Sequence, residues 1–250
     1  MSETLQKMET YYAGAYWGPR KDSPAECARR MEVMLASLSK SDPSFTRWFK
    51  PARTLKESLK RPLEPNRAAL QQWIQGGVAR SDGGLVMEDL GYSVMAWNGE
   101  RDEYDDSDFQ VACGGDSPWV NNACVFKLPS SGPNAERILT TSVLAALVRN
   151  MAMAWEPDWA VAMSHMHRDV VKPHQAERSP YVAWVTYLSR HRGTVPPLPT
   201  PVRIEPVEDK GTLIVLTPER FTAANPAHVE LAQRVRALLD GAGLLQPVMS

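Results

Sequence analysis

Residues 132–169 read GPNAERILTTSVLAALVRNMAMAWEPDWAVAMSHMHRD, and the fold class follows from how this stretch is divided. Ile138, Leu139, Val143, Leu144, Leu147, Val148 and Met151 recur at steps of three and four, which predicts one long helix over 134–155 with a broad apolar face. Gly132 and Pro133 open it, and Asn134 is placed to cap it. Pro157, with its fixed φ and no N–H, ends it in a turn flanked by Trp155 and Trp159. The next residues, WAVAMSH at 159–165, read as a short strand that delivers His165, His167, Arg168 and Asp169 to its end. A helix this apolar is covered on most sides, so strands and further helices must pack around it.

Working outward, ETYYAGAYW at 9–17 alternates as a strand, with Tyr12, Gly14 and Tyr16 on one side. Ser23-Pro24-Ala25-Glu26 is a capping box with proline at the first helical position, and starts a helix through Leu38. Residues 44–76 suit short helices joined at proline corners. From Leu85 the period changes to two, so 85–97, 108–113 and 123–128 predict an antiparallel meander. Residues 181–190 alternate as another strand, and the apolar TLIVLT at 212–217 reads as a buried one. Asn225-Pro226 begins a last amphipathic helix that Gly241 ends. These elements predict an α+β fold: a mixed, mainly antiparallel sheet with helices packed on it, as a single domain over 1–250. The proline-rich stretch 194–206 is the one soft boundary.

Composition narrows the function classes. At 250 residues with 43% hydrophobic and 23% charged residues, the chain can bury a full core, which sets disorder aside. A net charge of -1 argues against a general nucleic-acid binder, which needs a basic face. MSETLQKMET has no apolar core for a secretory signal, and the longest apolar run, Val143 to Val148, is far short of a membrane span. Cys27, Cys113 and Cys124 have no metal-like spacing and read as core residues. The expected compartment is the cytoplasm.

Four clusters carry charge or chemistry. The loop Gly99–Ser107 holds Glu100, Asp102, Glu103, Asp105 and Asp106 against one base, Arg101, and Asp108 follows directly. Residues 47–67 hold seven Lys or Arg against two Glu, which reads as a solvated basic face. On an extended segment His165 and His167 share a face, so both imidazoles could reach one metal ion with Asp169 nearby; the spacing is that of metallo-β-lactamase-like hydrolases up to Val170, where that pattern wants His. Glu156-Pro157-Asp158 with Glu208-Asp209-Lys210 mimics the P-D…E-x-K order of restriction-type nucleases across a wide gap. No dinucleotide or P-loop glycine motif is present, and no cofactor is expected.

A family resemblance adds to this. YYAGAYWGPR (11–20), SPAECARR (23–30), EDLGYS (88–93), EPDWA (156–160), SHMHRD (164–169), YLSRHRG (187–193) and PVEDKGTLIVLTPERFTAANPAHVELA (206–232) form an ordered series that resembles the immunity protein 52 family over roughly 10–240. The resemblance implies a non-enzymatic cytoplasmic antitoxin that binds a restriction-endonuclease-fold DNase effector of a type VI secretion system. A nuclease presents a basic groove to phosphates, so the candidate contacts are Glu100, Asp102, Glu103, Asp105, Asp106 and Asp108. The competing readings are a metal-dependent hydrolase centred on His165, His167 and Asp169, and a chaperone or adaptor that delivers the effector.

Overall fold

The two-residue alternation of YYAGAYW makes a strand with Tyr11, Ala13, Ala15 and Trp17 on one face and Tyr12, Gly14 and Tyr16 on the other, and this strand sits inside a single sheet. In the computed structural model, which describes residues 8–248, eight strands are formed. They are β1 (Tyr11–Trp17), β2 (Tyr92–Trp97), β3 (Asp108–Cys113), β4 (Asn122–Lys127), β5 (Trp159–Ser164), β6 (Val185–Ser189), β7 (Arg203–Val207) and β8 (Gly211–Val215). They lie in the order β2-β3-β4-β1-β5-β6-β8-β7, and every pairing among them is antiparallel. The proline-rich stretch leads into β7, which joins the same sheet.

The helices are α1 (Pro24–Leu38), α2 (Leu55–Ser58), α3 (Arg67–Gly76), α4 (Pro133–Ile138), α5 (Thr141–Trp155), α6 (His165–Val171) and α7 (Pro226–Gly241). Helix α5 packs on β1, β5 and β6, and α1 packs on α5 and α3. The approach of α5 is possible because Ala13, Ala15, Ala160 and Ala162 line the strands beneath it, all fully buried. Trp17 stacks on Trp155 at 5.4 Å between centroids, and the Trp155 indole N–H points at Met34 Sδ, 3.1 Å away. Ser23 caps α1 by accepting from the Glu26 amide, as the capping box predicts.

Three expectations need correction. The helix predicted over 134–155 is two helices, α4 and α5, because Thr140 is extended and restarts the chain. The break is held by tertiary bonds: Thr141 Oγ1 donates to the Pro218 carbonyl (2.8 Å) and accepts from the Trp184 indole N–H (3.1 Å). The strand predicted from Leu85 begins only at Tyr92, since Glu88–Leu90 form a 3-10 turn and Gly91 takes a positive φ of 72°. A Cβ at Gly91 would lie 2.4 Å from the Cys113 carbonyl oxygen, so the turn is fixed by the neighbouring strand. The strand expected over 181–190 is confined to Val185–Ser189.

Ala162→Leu should force α5 away from β5 and cost about 1–3 kcal/mol by overpacking. A urea titration checks this: the midpoint should fall at unchanged m, and an unchanged midpoint would refute close approach of the helix at Ala162.

Candidate functional site

The acidic loop is folded by its own carboxylates. Glu100 Oε1 accepts from the Arg101 and Asp102 amides (2.7 and 3.3 Å), and Asp102 Oδ1 accepts from the Tyr104 amide (2.9 Å). These are short-range turns of the kind that Asp and Glu offer in place of regular structure. The Tyr104 carbonyl then accepts from the Ser130 and Ser131 amides (2.7 and 3.1 Å), pinning the loop to the chain before α4.

The six candidate carboxylates are brought to one end of the sheet, where they divide. Asp105 is buried at 4% exposure and caps α4, accepting from the Asn134 and Ala135 amides (3.2 and 3.0 Å). It therefore takes the role that sequence reading gave to Asn134, and its negative charge sits at the helix N-terminus. Asp106 accepts from Lys127 Nζ at 2.5 Å. Asp108 is half-buried; burial raises its pKa, while the Lys127 ammonium opposes the shift. Asp102 and Glu103 are exposed and Glu100 half-buried, so three carboxylates on a fixed backbone face outward.

The His-Met-His-Arg-Asp cluster takes a different conformation from the extended one that metal binding needs. Ser164 ends β5 and caps α6 by accepting from the His167 amide, so His165 and His167 lie on a helix. Residues two apart on a helix are rotated by ~200°, and the two rings diverge. His167 is buried, with Nε2 3.2 Å from the Val182 carbonyl, whereas His165 Nδ1 bonds Thr10 Oγ1 at 3.0 Å beside the Tyr12 ring. Asp169 is exposed and accepts from Arg168 Nη2 at 2.8 Å. Among the described residues, no group of three or more His, Cys, Asp or Glu is placed to hold a metal ion.

The two segments of the P-D…E-x-K pattern meet in space through Glu156 and Lys210, as a clamp. Glu156, left-handed at φ 48°, ends α5 and receives Arg30 Nη1 (3.0 Å) and Lys210 Nζ (2.5 Å). The lysine contact, with Arg30 behind it, holds the Glu156 carboxyl below its usual range. Asp158 accepts from the Gly18 amide (2.9 Å) and bonds His191 Nε2 (2.7 Å). Both carboxylates are thus committed to fastening the Glu156–Asp158 turn to α1, β1 and the chain around β6 and β8. Cys27, Cys113 and Cys124 are free and buried, and burial pushes the Cys124 thiol up, away from nucleophilic use. Sequence reading missed one feature: the aromatic face of β1 continues in Trp159 and Tyr181, which local patterning cannot bring together.

A family model described as immunity protein 52 matches residues 9–248. Among solved structures, the Pseudomonas aeruginosa T6SS protein PA0821 is similar in fold, with a TM-score of 0.52 and 14% identity over 92% of this chain and 73% of that one. No curated protein sequence matches the chain.

Burial lowers the pKa of both His165 and His167, with the Arg168 charge adding to the effect at His165. In the unfolded chain they protonate near the ordinary ~6.5, so below that pH the unfolded state binds more protons than the folded one. Their contribution to stability is therefore full above the unfolded-state pKa and is lost as the pH falls below it. Denaturant titrations across that range should show a falling midpoint and a shallower fall in His167→Gln; an identical slope in the variant would refute the assignment.

Proposed function

This chain belongs to the immunity protein 52 family, and from that membership we propose that it neutralises a restriction-endonuclease-fold DNase effector of a type VI secretion system by direct one-to-one contact in the cytoplasm of the producing cell. The observation that carries the choice of partner is the loop at 99–107. A nuclease must hold polyanionic DNA with a basic surface, and Glu100, Asp102 and Glu103 present negative charge from a backbone already fixed by hydrogen bonds. Because the loop is folded before contact, little ordering cost opposes binding. Its field steers encounter with a basic partner and disfavours acidic ones. Fold likeness to a T6SS protein supports the secretion context. The residues suited to chemistry in the sequence, His165, His167, Asp169, Glu156 and Lys210, are engaged in hydrogen bonds or ion pairs, which supports a role in binding. The mechanism that follows is stoichiometric: the protein occupies or distorts the nuclease surface and transforms no substrate.

Cells producing the effector encoded beside this chain should survive when this chain is co-produced, and a purified equimolar mixture should stop DNA cleavage. An adaptor would co-purify with the effector but leave it lethal. Asp102→Lys with Glu103→Lys should slow association about tenfold, with the effect shrinking at high salt. Association kinetics insensitive to both the substitutions and salt would remove the loop from the interface.

A further inference from the structure

The second face of the sheet is covered along only half its width. Toward β5, β6 and β8, Val161, Met163, Thr186, Leu188 and Ile214 are buried. Toward β2, β3 and β4 the same face carries Ser93, Met95 and Gln110, all exposed. Between the two halves lies a groove of about 990 Å³, floored by Tyr16 and Trp159, which stack at 4.3 Å between centroids. Its lining is basic on balance, with Lys127, Arg168, Lys172 and Arg178 against Asp108 and Glu177. Two of these cations are engaged inside the chain, Lys127 by Asp106 and Arg168 by Asp169. The other two keep free donors among the described residues. The Lys172 ammonium is exposed and has no hydrogen bond or ion pair, and the Arg178 guanidinium uses only Nη2, on the Pro118 carbonyl at 3.1 Å.

That bond joins the end of the groove to Trp119, the next residue after Pro118. At 87% exposure, Trp119 is the barest large hydrophobic among the described residues. A slack loop is not the reason. The Asp116 and Ser117 amides both donate to the Asp89 carbonyl at 3.0 Å, and the Asn122 side chain holds the Gly115 amide and carbonyl at 3.0 and 2.9 Å. The one acid of this loop, Asp116, faces Lys21 at 3.8 Å. Arg178 is held as firmly: its carbonyl accepts from the Val248 amide at 3.1 Å, and its φ of 62° is left-handed, which a residue with a Cβ adopts only when its surroundings impose it. The chain therefore holds a strained arginine beside an indole that its own core leaves in water. Burial of that ring by another molecule is favourable.

Building on the immunity reading above, we propose that Trp119, Arg178 and Lys172 are a second contact patch for the cognate effector, and that they take a carboxylate-bearing segment with an apolar recess for the indole. The planar fork of arginine receives a carboxylate through two parallel bonds, and the lysine adds a point charge beside it. Tryptophan and arginine on a backbone fixed before contact are the kind of anchors that dominate protein–protein affinity. The acidic loop lies at the opposite end of β3 and suits a basic surface. The effector is thus met by two patches of opposite sign, which sets its orientation as well as its affinity. A nucleic acid fits less well, because a phosphate backbone followed along the groove from Arg178 runs into Asp108 and the acidic loop.

Trp119→Ala and Lys172→Glu alter exposed side chains, and Arg178→Gly removes the guanidinium while relieving the left-handed backbone. Gln71→Arg, exposed on α3, is the control. Each full-length variant is melted, then titrated by calorimetry against the effector encoded beside this chain, produced with its nuclease centre mutated. Trp119→Ala and Arg178→Gly should each weaken binding on the order of 30-fold, and Lys172→Glu about tenfold, while the control matches the unaltered chain. Should Arg178→Gly melt early, the two exposed variants decide. If the unaltered chain binds and the variants bind equally well, the patch is no contact and the immunity reading stands. If Lys172→Glu tightens binding, the segment is basic and the proposal is overturned. If the unaltered chain binds no effector, the immunity reading falls and this contact with it. A single-stranded DNA oligonucleotide is titrated in parallel: binding that Lys172→Glu abolishes, with effector affinity unchanged, assigns the patch to nucleic acid and overturns the proposal.

Discussion

How closely α5 can approach β1 and β5 controls the rest of the structure. Ala13, Ala15, Ala160 and Ala162 leave room for the helix backbone, and the space beside it is filled by Trp17, Trp155 and Met34. Interiors pack at crystal-like density, so a methylene added in that layer is felt. The same alternation has a second consequence. A strand that shows alanine to the helices shows Tyr12, Gly14 and Tyr16, or Trp159, to the other side. The small-residue layer under α5 and the aromatic floor of the groove are two faces of one sequence pattern.

Charge is divided between structure and surface in a comparable way. Ten residues of loop and strand start carry an excess of acids, a density that repels itself in isolation. The fold spends Asp105 on the amides of α4 and Asp106 on Lys127, leaving Glu100, Asp102 and Glu103 outward. The structural acids hold the outward ones at fixed positions, and fixed charge is what complementarity to a partner requires. At the opposite ends of the strands, Glu156 and Asp158 are held by Arg30, Lys210, His191 and the Gly18 amide. A motif that resembles a nuclease centre in one dimension is a clamp in three.

Much of the fold was legible in the sequence because its causes are local. Period-two alternation identified β1 and the meander, the Ser23–Glu26 box started α1, and Asn225-Pro226 with Gly241 bounded α7. The apolar repeat of 134–155 located the central helical region, and composition set aside disorder. The ordered motifs from 11 to 232 pointed to the family that matches 9–248.

Only the tertiary structure decided the rest, because the partners are distant along the chain. Thr140 breaks the central helix because Thr141 bonds Trp184 and Pro218, 43 and 77 residues away. His165 and His167 diverge because Ser164 turns β5 into α6 against Thr10 and Val182. Asp105 is a cap only because the loop reaches α4, and Trp159 meets Tyr16 and Tyr181 only in the assembled sheet. Local propensity is a matter of neighbours within a few residues; a buried hydrogen bond or ring stack is settled by whichever distant group can satisfy it.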